Sequence, residues 1–394
     1  RQMCIRDRYI QCTKALLEKL KIEKSELLPT KSCEDGAAGF YSWHAHFITI
    51  NRRKVVVCMN NLTRYTIVLY RPKAKDMMEL ESRIKEGIRT AFGEEGISEV
   101  VINEYIEKCG AVEYSKTAGR SMVANLNKIC ETVQWYADLL DEDTVIQKRI
   151  SLSLGKYLVK FDGDYDHPEE RLFRELCKMR NLSDSEWDRI LEVENYQLKI
   201  RLDFENFDIW RRVLIPSSCT FQRLHCVIQE TFGWFDYHLH EFRLIGEPEE
   251  ADHKLPLYAY PIKMRIVDGE DPEVGEYLEP DKYEVKFDTK TSLKDVFKDT
   301  DTCIYTYDFG DNWEHVITLE KVIENNNRFP VLLERNGERP PEDVGGESGF
   351  EEYMRIISDK NHPEHEAMLQ WSEITKEKER TIEEINRRMN CFFR

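Results

Sequence analysis

The chain has 394 residues, 41% of them hydrophobic and 11% aromatic, so it is long enough for two domains and rich enough for real cores. Its net charge of −17 argues against a protein that coats nucleic acid through backbone phosphates, although a local basic patch stays open. The 11 cysteines are scattered without a Cys-x-x-Cys pair, against a disulfide framework or structural zinc, and no apolar run reaches the ~20 residues of a membrane helix.

These bounds set the expectation of an acidic, cytoplasmic protein with reduced thiols, no membrane span and no non-specific nucleic-acid binding. Residues 1–8 look like translated sequencing-adapter sequence and are set aside as a sequence scar, with the natural N-terminus expected elsewhere. Strand character then dominates 44–70. Runs at 46–50, 55–59 and 65–70 are separated by polar turns at Asn51-Arg52-Arg53-Lys54 and Asn60-Asn61, the pattern of a three-stranded meander. Leu80, Ile84, Ile88 and Ala91 keep a helical period, as do Val123, Leu126, Ile129, Val133, Tyr136 and Leu140. A sheet with helices on one side makes a first α+β domain over 9–140.

The candidate chemistry of that domain is thin. His44 and His46 share one strand face, a spacing that offers two imidazoles to a metal, but Ile48 and Ile50 continue the same face and no third ligand is apparent. Two partly buried, hydrogen-bonded histidines are the expectation. The stretch Ser42-Trp43-His44-Ala45-His46, with Asn51-Arg52-Arg53-Lys54 and Thr63-Arg64-Tyr65, resembles an uncharacterised domain family of bacteria and archaea over 12–135. That resemblance implies a fold and no activity.

Residues 141–194 read as a connector with short helices. Asp162-Gly163-Asp164-Tyr165-Asp166-His167-Pro168 fails the calcium-loop spacing and is expected to be a surface loop. Ser183 and Glu186 form a capping-box pattern that should open a short helix toward Val193.

The second domain, 195–394, begins with alternating strands at 196–204 and 209–215. Thr220 should cap a helix that Gly233 stops. Further strands are expected at 238–244, 258–266, 283–288, 302–309, 313–322 and 329–333. Three helices follow, opened by Ser348-x-x-Glu351, Pro363 and Thr381-x-x-Glu384. The stretch 305–315 reads as a hairpin: Gly310-Asp311-Asn312 turns the chain, and Trp313, His315, Ile317 and Leu319 share a face. The whole chain is thus expected to be α+β, two domains each with a mainly antiparallel sheet and helices packed on it.

Several motifs of this half are jointly specific. Ile209-Trp210-Arg211-Arg212-Val213-Leu214-Ile215-Pro216, Phe232-Gly233-Trp234 with His238-Leu239-His240-Glu241-Phe242, and Tyr307-Asp308-Phe309-Gly310-Asp311 with Trp313 and His315 come first. Pro340-Pro341-Glu342-Asp343-Val344-Gly345-Gly346 and His362-Pro363-Glu364-His365-Glu366 complete the set. Over 196–389 they resemble the plasmid pRiA-type ORF-three-like family, met on plasmids, mobile elements and prokaryotic chromosomes. The resemblance implies an α+β fold. Some members carry the label of transposon resolvase, but the serine-nucleophile and arginine-cluster pattern of a serine recombinase is missing here. Members often carry a cysteine just before Pro-Pro-Glu-Asp where this chain has Arg339, which puts any thiol role at that position in doubt.

Two accounts of the motif residues compete. One gathers His240, Asp308, Asp311, His315, Glu342 and Asp343 around a divalent metal, as imidazoles and carboxylates suit metal-assisted hydrolysis. The other is structural and leads: His315, Trp313 and Tyr307 form a buried aromatic cluster, and Asp308 and Asp311 satisfy turn amides around a Gly310 of positive φ. Glu342 and Asp343 then accept backbone N–H groups or pair with Arg211 or Arg212. Asp308-Phe309-Gly310 copies a kinase magnesium motif letter for letter, yet no Gly-rich loop or catalytic-loop motif accompanies it. The leading expectation is a non-catalytic binding or adaptor module serving a mobile element. Its unidentified protein partner would meet a groove formed by Tyr307, Trp313, Gly345 and Gly346, with no cofactor assured and a divalent metal left open. A metal-dependent hydrolase is the alternative, and a DNA-acting recombinase stands third.

Overall fold

The computed structural model describes residues 9–30, 36–110, 113–161, 163–246, 257, 260–269, 278–375 and 380–393. The stretch 1–8 set aside as a scar, and positions 258 and 259 of the strand expected over 258–266, lie outside the described residues. The chain divides into two compact units, Arg1–Glu192 and Val193–Arg394.

The first unit carries strands β1 (Tyr9–Cys12), β2 (Trp43–Ile50), β3 (Arg53–Asn60), β4 (Thr66–Tyr70) and β5 (Glu113–Lys116) in one sheet of order β4-β3-β2-β1-β5. The meander expected from the apolar runs is β2-β3-β4, paired antiparallel. Its first turn is made by Asn51 and Arg52, both at positive φ, which gives two-residue connections the twist a hairpin needs. β1 lies parallel to both β2 and β5, so this sheet is mixed. Helix Leu80–Glu94 buries the residues its periodicity marked, Leu80, Ile84, Ile88 and Ala91; helix Arg120–Trp135 buries Leu126, Ile129 and Val133, while Val123 is half-buried and Tyr136 and Leu140 lie past its end. Each large apolar side chain so removed from water contributes about 1.5–3 kcal/mol.

The segment 141–192 belongs to this unit and is more ordered than a loop and one helix. It holds helices Lys148–Gly155 and Pro168–Met179, with a hairpin of β6 (Val159–Phe161) and β7 (Asp164–Asp166) between them. Pro168 occupies the first turn of its helix, where a missing N–H costs nothing. Ser183 N donates to Glu186 Oε2 at 2.8 Å, yet the chain then makes a single 3-10 turn at Trp187–Arg189 rather than the helix expected toward Val193.

The second unit is built on an eight-stranded sheet of order β12-β11-β10-β13-β14-β8-β9-β15. The strands are β8 (Glu194–Leu202), β9 (Trp210–Pro216), β10 (His240–Ile245), β11 (Ile262–Val267), β12 (Glu284–Phe287), β13 (Thr302–Tyr307), β14 (Trp313–Glu324) and β15 (Val331–Asn336). All neighbours are antiparallel except β11 and β12. One set of inward residues, among them Leu198, Ile200, Val213, Phe242, Tyr305, Trp313 and Ile317, shares a core with Leu224, Val227, Ile228 and Phe232 of helix Phe221–Phe232. Phe350 and Tyr353 of helix Gly346–Ser358, and Ile385 and Met389 of helix Ile382–Phe393, complete it. The residues of opposite parity pair their charges across strands: Arg212 with Glu320 at 2.7 Å, Arg265 with Glu241 at 3.0 Å.

Helix boundaries follow local chemistry in most places. Thr220 accepts from Arg223 N, and Gly233 ends the same helix in the left-handed region. Thr381 and Glu384 exchange reciprocal capping bonds at 2.9 and 3.2 Å. The Ser348 pattern does not start its helix. Gly345 takes the cap position at φ 92° and the helix runs from Gly346, two residues before Ser348.

Candidate functional site

The site lies where the β13–β14 turn, the segment before β10 and the acidic loop 340–346 meet. The turn is built by Asp308, whose Oδ1 accepts Gly310 N at 2.8 Å and Asp311 N at 3.3 Å. Gly310 was expected to supply the positive φ; Asp308 (55°) and Asn312 (56°) take it instead, a conformation that short side chains able to bond locally tolerate. Asp311 does not close the turn. Its Oδ2 accepts Gly345 N at 3.0 Å, and a Cβ on Gly346 would lie 2.7 Å from Asp311 O, so the hairpin tip rests directly on the acidic loop. Tyr307 and Trp313 are fully buried beneath this join. With Gly345 and Gly346 they therefore pack hairpin against loop rather than line an open groove.

The six residues marked as a metal cluster do not converge. His315 is fully buried: Nδ1 donates to Trp313 O at 2.9 Å, Nε2 has no hydrogen-bond partner, and Phe232 and Trp234 meet the ring edge-on. Burial holds its pKa down at about 3, against the pull of the Trp313 and Tyr305 carbonyls and aided by Arg211. His240 stacks on His225 with centroids 3.6 Å apart and faces Asp288 Oδ2 at 3.3 Å. His225 in turn joins Tyr305 Oη at 2.8 Å and Asp236 Oδ1 at 2.7 Å. Both histidines thus belong to the packed interior of the sheet.

Asp308 and Asp343 do come together, around a histidine that the alternation pattern did not single out. His238 Nε2 lies 3.1 Å from Asp343 Oδ1 and 3.6 Å from Asp308 Oδ2. One ligand atom from each of the three lies within 4.8 Å of the others. Strand pairing brings them there: Asp308 N donates to Leu239 O at 3.0 Å, just beyond the β10–β13 ladder, and Asp343 stands at positive φ in the loop. The available signal was positional. His238 precedes the apolar alternation, which starts at His240, and a residue at a strand's mouth is freer to face a ligand than one within it.

Glu342 anchors this corner. Its Oε1 accepts Phe235 N at 2.7 Å and Tyr307 Oη at 3.2 Å, tying the segment that carries His238 to the neighbour of Asp343. Its Oε2 is buried without a partner, and burial raises the carboxyl pKa, opposed by those hydrogen bonds and by His238. The expected pairing with Arg211 or Arg212 is not made. Arg211 donates to backbone carbonyls of Thr231, Trp210 and Asn336, while Arg212 pairs with Glu320 and Glu334. Arg339, just before Pro340-Pro341, lays its guanidinium against Gly233, where a Cβ would come within 3.0 Å of Nε.

Apolar side chains stand exposed around His238, Asp308 and Asp343. Tyr237 is 76% exposed, Phe309 53% and Leu239 42%, each next in sequence to His238 or Asp308, and Phe235 stacks on Tyr237 at 5.5 Å. In the first unit, by contrast, the two strand histidines are held structurally. His44 is fully buried between Asn61 Oδ1 (2.7 Å) and the Ala118 backbone, and His46 Nδ1 meets Thr13 Oγ1 at 2.7 Å. Cys12, Cys58, Cys130, Cys177, Cys226 and Cys303 form no disulfide, and no described helix is long and apolar enough to cross a membrane.

Comparison with known proteins places both halves. Residues 194–383 match the family described as Plasmid pRiA4b ORF-3-like protein, and residues 9–171 match a domain of unknown function, DUF6933. Uncharacterized protein y4hQ of Sinorhizobium fredii (strain NBRC 101917 / NGR234) is 32% identical over 182 residues, 44% of this chain and 79% of the relative. Among solved structures, the protein of unknown function MM3350 from Methanosarcina mazei Go1 is 30% identical with a TM-score of 0.36, covering 45% of this chain and 88% of that one.

Proposed function

The chain belongs to the plasmid pRiA4b ORF-3-like protein family through residues 194–383, and from that premise we propose that its second unit is a non-catalytic binding module for a polypeptide partner. The observation that carries this reading is the exposed rim of Tyr237, Leu239 and Phe309 beside Asp308 and Asp343. Large apolar side chains left in water next to charged groups mark interaction surfaces, and tyrosine and phenylalanine are strong anchors in them. The partner is a segment with apolar side chains and a net basic charge, because a chain of −17 steers cations toward itself and repels anions.

The test uses synthetic peptides of matched apolar content, one series basic and one acidic, in fluorescence anisotropy with the full chain. Basic peptides should bind, should weaken as salt rises, and should lose at least tenfold in affinity against Tyr237→Ser with Phe309→Ser. Equal binding of both series, or no loss in the double variant, removes this reading.

A second reading, a metal-dependent hydrolase, is favoured by one feature: the buried Glu342, with its raised carboxyl pKa and partnerless Oε2, adjoins a set of metal-ligand types. Such a carboxylate suits a general base that takes a proton from water. Metal-loaded protein that hydrolyses an ester or phosphoester panel, with the activity lost in Glu342→Gln, would select this reading. A panel without turnover leaves the binding module.

A further inference from the structure

We infer that His238, Asp308 and Asp343 form a divalent-cation site in the second unit, with His238 Nε2, Asp308 Oδ2 and Asp343 Oδ1 as the protein ligands. The inference stands on its own geometry and does not depend on a polypeptide docking at the rim.

Donor spacing is the first argument. Metal–ligand bonds of about 2.1 Å place neighbouring donors about 3.4 Å apart around a tetrahedral ion and about 3.0 Å apart around an octahedral one. His238 Nε2 stands 3.1 Å from one carboxylate oxygen and 3.6 Å from the other, on either side of the tetrahedral edge and above the octahedral one. An ammonium group needs acceptors farther apart: hydrogen bonds of about 2.9 Å in tetrahedral directions put them about 4.7 Å from each other. Both His238 edges are shorter than an ammonium group needs and suit a small inorganic cation.

The second argument is what the atoms do without a cation. His238 Nε2 is buried as an atom and makes no hydrogen bond, although two carboxylate oxygens lie close, so its N–H direction meets neither of them. A buried polar atom without a partner destabilises the fold. A cation lying between the three donors would satisfy the imidazole lone pair and both carboxylates together. Beside it, Glu342 is only 2% exposed and its Oε2 is likewise unpartnered. Two orphaned buried atoms at one corner are more than a solvated acidic patch shows.

The supporting residues fit a coordination role. Asp308 spends Oδ1 on the Gly310 and Asp311 amides, which leaves Oδ2 fixed toward His238. Glu342, through Phe235 N and Tyr307 Oη, holds the two segments that deliver His238 and Asp343. One imidazole with two carboxylates suits a borderline ion such as Zn²⁺ or Mn²⁺. Three protein ligands, with His238 and Asp343 partly exposed, leave at least one position for water or a ligand's oxygen.

The experiment is isothermal titration of the chelator-stripped 394-residue chain with ZnCl₂ and MnCl₂ separately. The parent, His238→Gln and Asp343→Asn are compared, with His46→Gln as a control for stray histidine binding. One ion per chain is expected in the parent and in the control, with affinity at least tenfold weaker in both site variants and circular dichroism unchanged. No saturable one-to-one binding in the parent, or equal binding in both site variants, overturns the site. If a site variant fails to fold, Mn²⁺ electron paramagnetic resonance on the parent decides: nitrogen hyperfine coupling supports the imidazole ligand, and its absence on a saturated site rejects it. Peptide binding measured in EDTA separates the two readings, since docking that persists on metal-free protein leaves the binding module standing even if no ion is held.

Discussion

Asp311 Oδ2 accepts the backbone N–H of Gly345 at 3.0 Å, and this bond joins the tip of the β13–β14 hairpin to the acidic loop that delivers Asp343. The contact is exposed, so Asp311→Ala should cost only about 0.5–1.5 kcal/mol. Gly346→Ala should cost more, about 1–3 kcal/mol. Its φ of 67° disfavours a side chain, and the new Cβ would press within 2.7 Å of Asp311 O. Urea midpoints of the two variants measure the order. A Gly346→Ala variant no less stable than Asp311→Ala would show that the loop yields easily.

His315 makes the fold acid-sensitive in a definite window. Its pKa is about 3 in the folded chain against an ordinary 6.5, so below pH 6.5 the unfolded chain takes up a proton that the folded one refuses. Stability from this residue therefore falls as pH drops from 6.5 toward 3, by about 1.4 kcal/mol per unit. His315→Gln keeps a donor for Trp313 O and cannot titrate. Urea unfolding of parent and variant at about pH 7, 6, 5 and 4 should show the gap between them narrowing or reversing toward low pH. Parallel curves would mean that the buried imidazole is protonated after all.

In the first unit His44 should behave as a structural residue. With Nδ1 donating to Asn61 Oδ1, Nε2 is left to accept from Ala118 N at 3.2 Å, and Asn61 Nδ2 passes on to Gln11 Oε1 at 2.9 Å. His44→Ala would leave these buried groups underpaired, at about 1–3 kcal/mol. Thermal unfolding should report that loss, while Zn²⁺ affinity of the full chain should stay at the parent's value. A fall in metal affinity would move the cation site out of the second unit.

Much of the architecture was legible because its causes are local. Apolar runs between polar turns marked the meander, period-two alternation marked most strands of the second sheet, a 3.6-residue period marked helices Leu80–Glu94 and Arg120–Trp135, and Thr220 and Thr381 marked helix starts by side-chain capping. β1 and β5 were not legible. Each is four residues long, too short to show alternation, and each exists through parallel pairing with a strand far away in sequence. The helix Pro168–Met179 was missed beside a turn-rich stretch whose polar residues masked it.

By itself the sequence determined the α+β class, the two-part organisation and the family of the second half, and it marked Asp308 and Asp343 as chemistry-bearing residues. Only the tertiary structure decided which histidine joins them. Side-chain parity along a strand is a local property, and it drew attention to His240 and His315; both point into the core because the buried face of an eight-stranded sheet is where alternation leads. Convergence depends on strand order and on how a distant loop returns. Placing β10 beside β13, and folding the loop 340–346 onto the hairpin tip, brings His238 within 3.1 and 3.6 Å of carboxylates that lie 105 and 70 positions away in the chain.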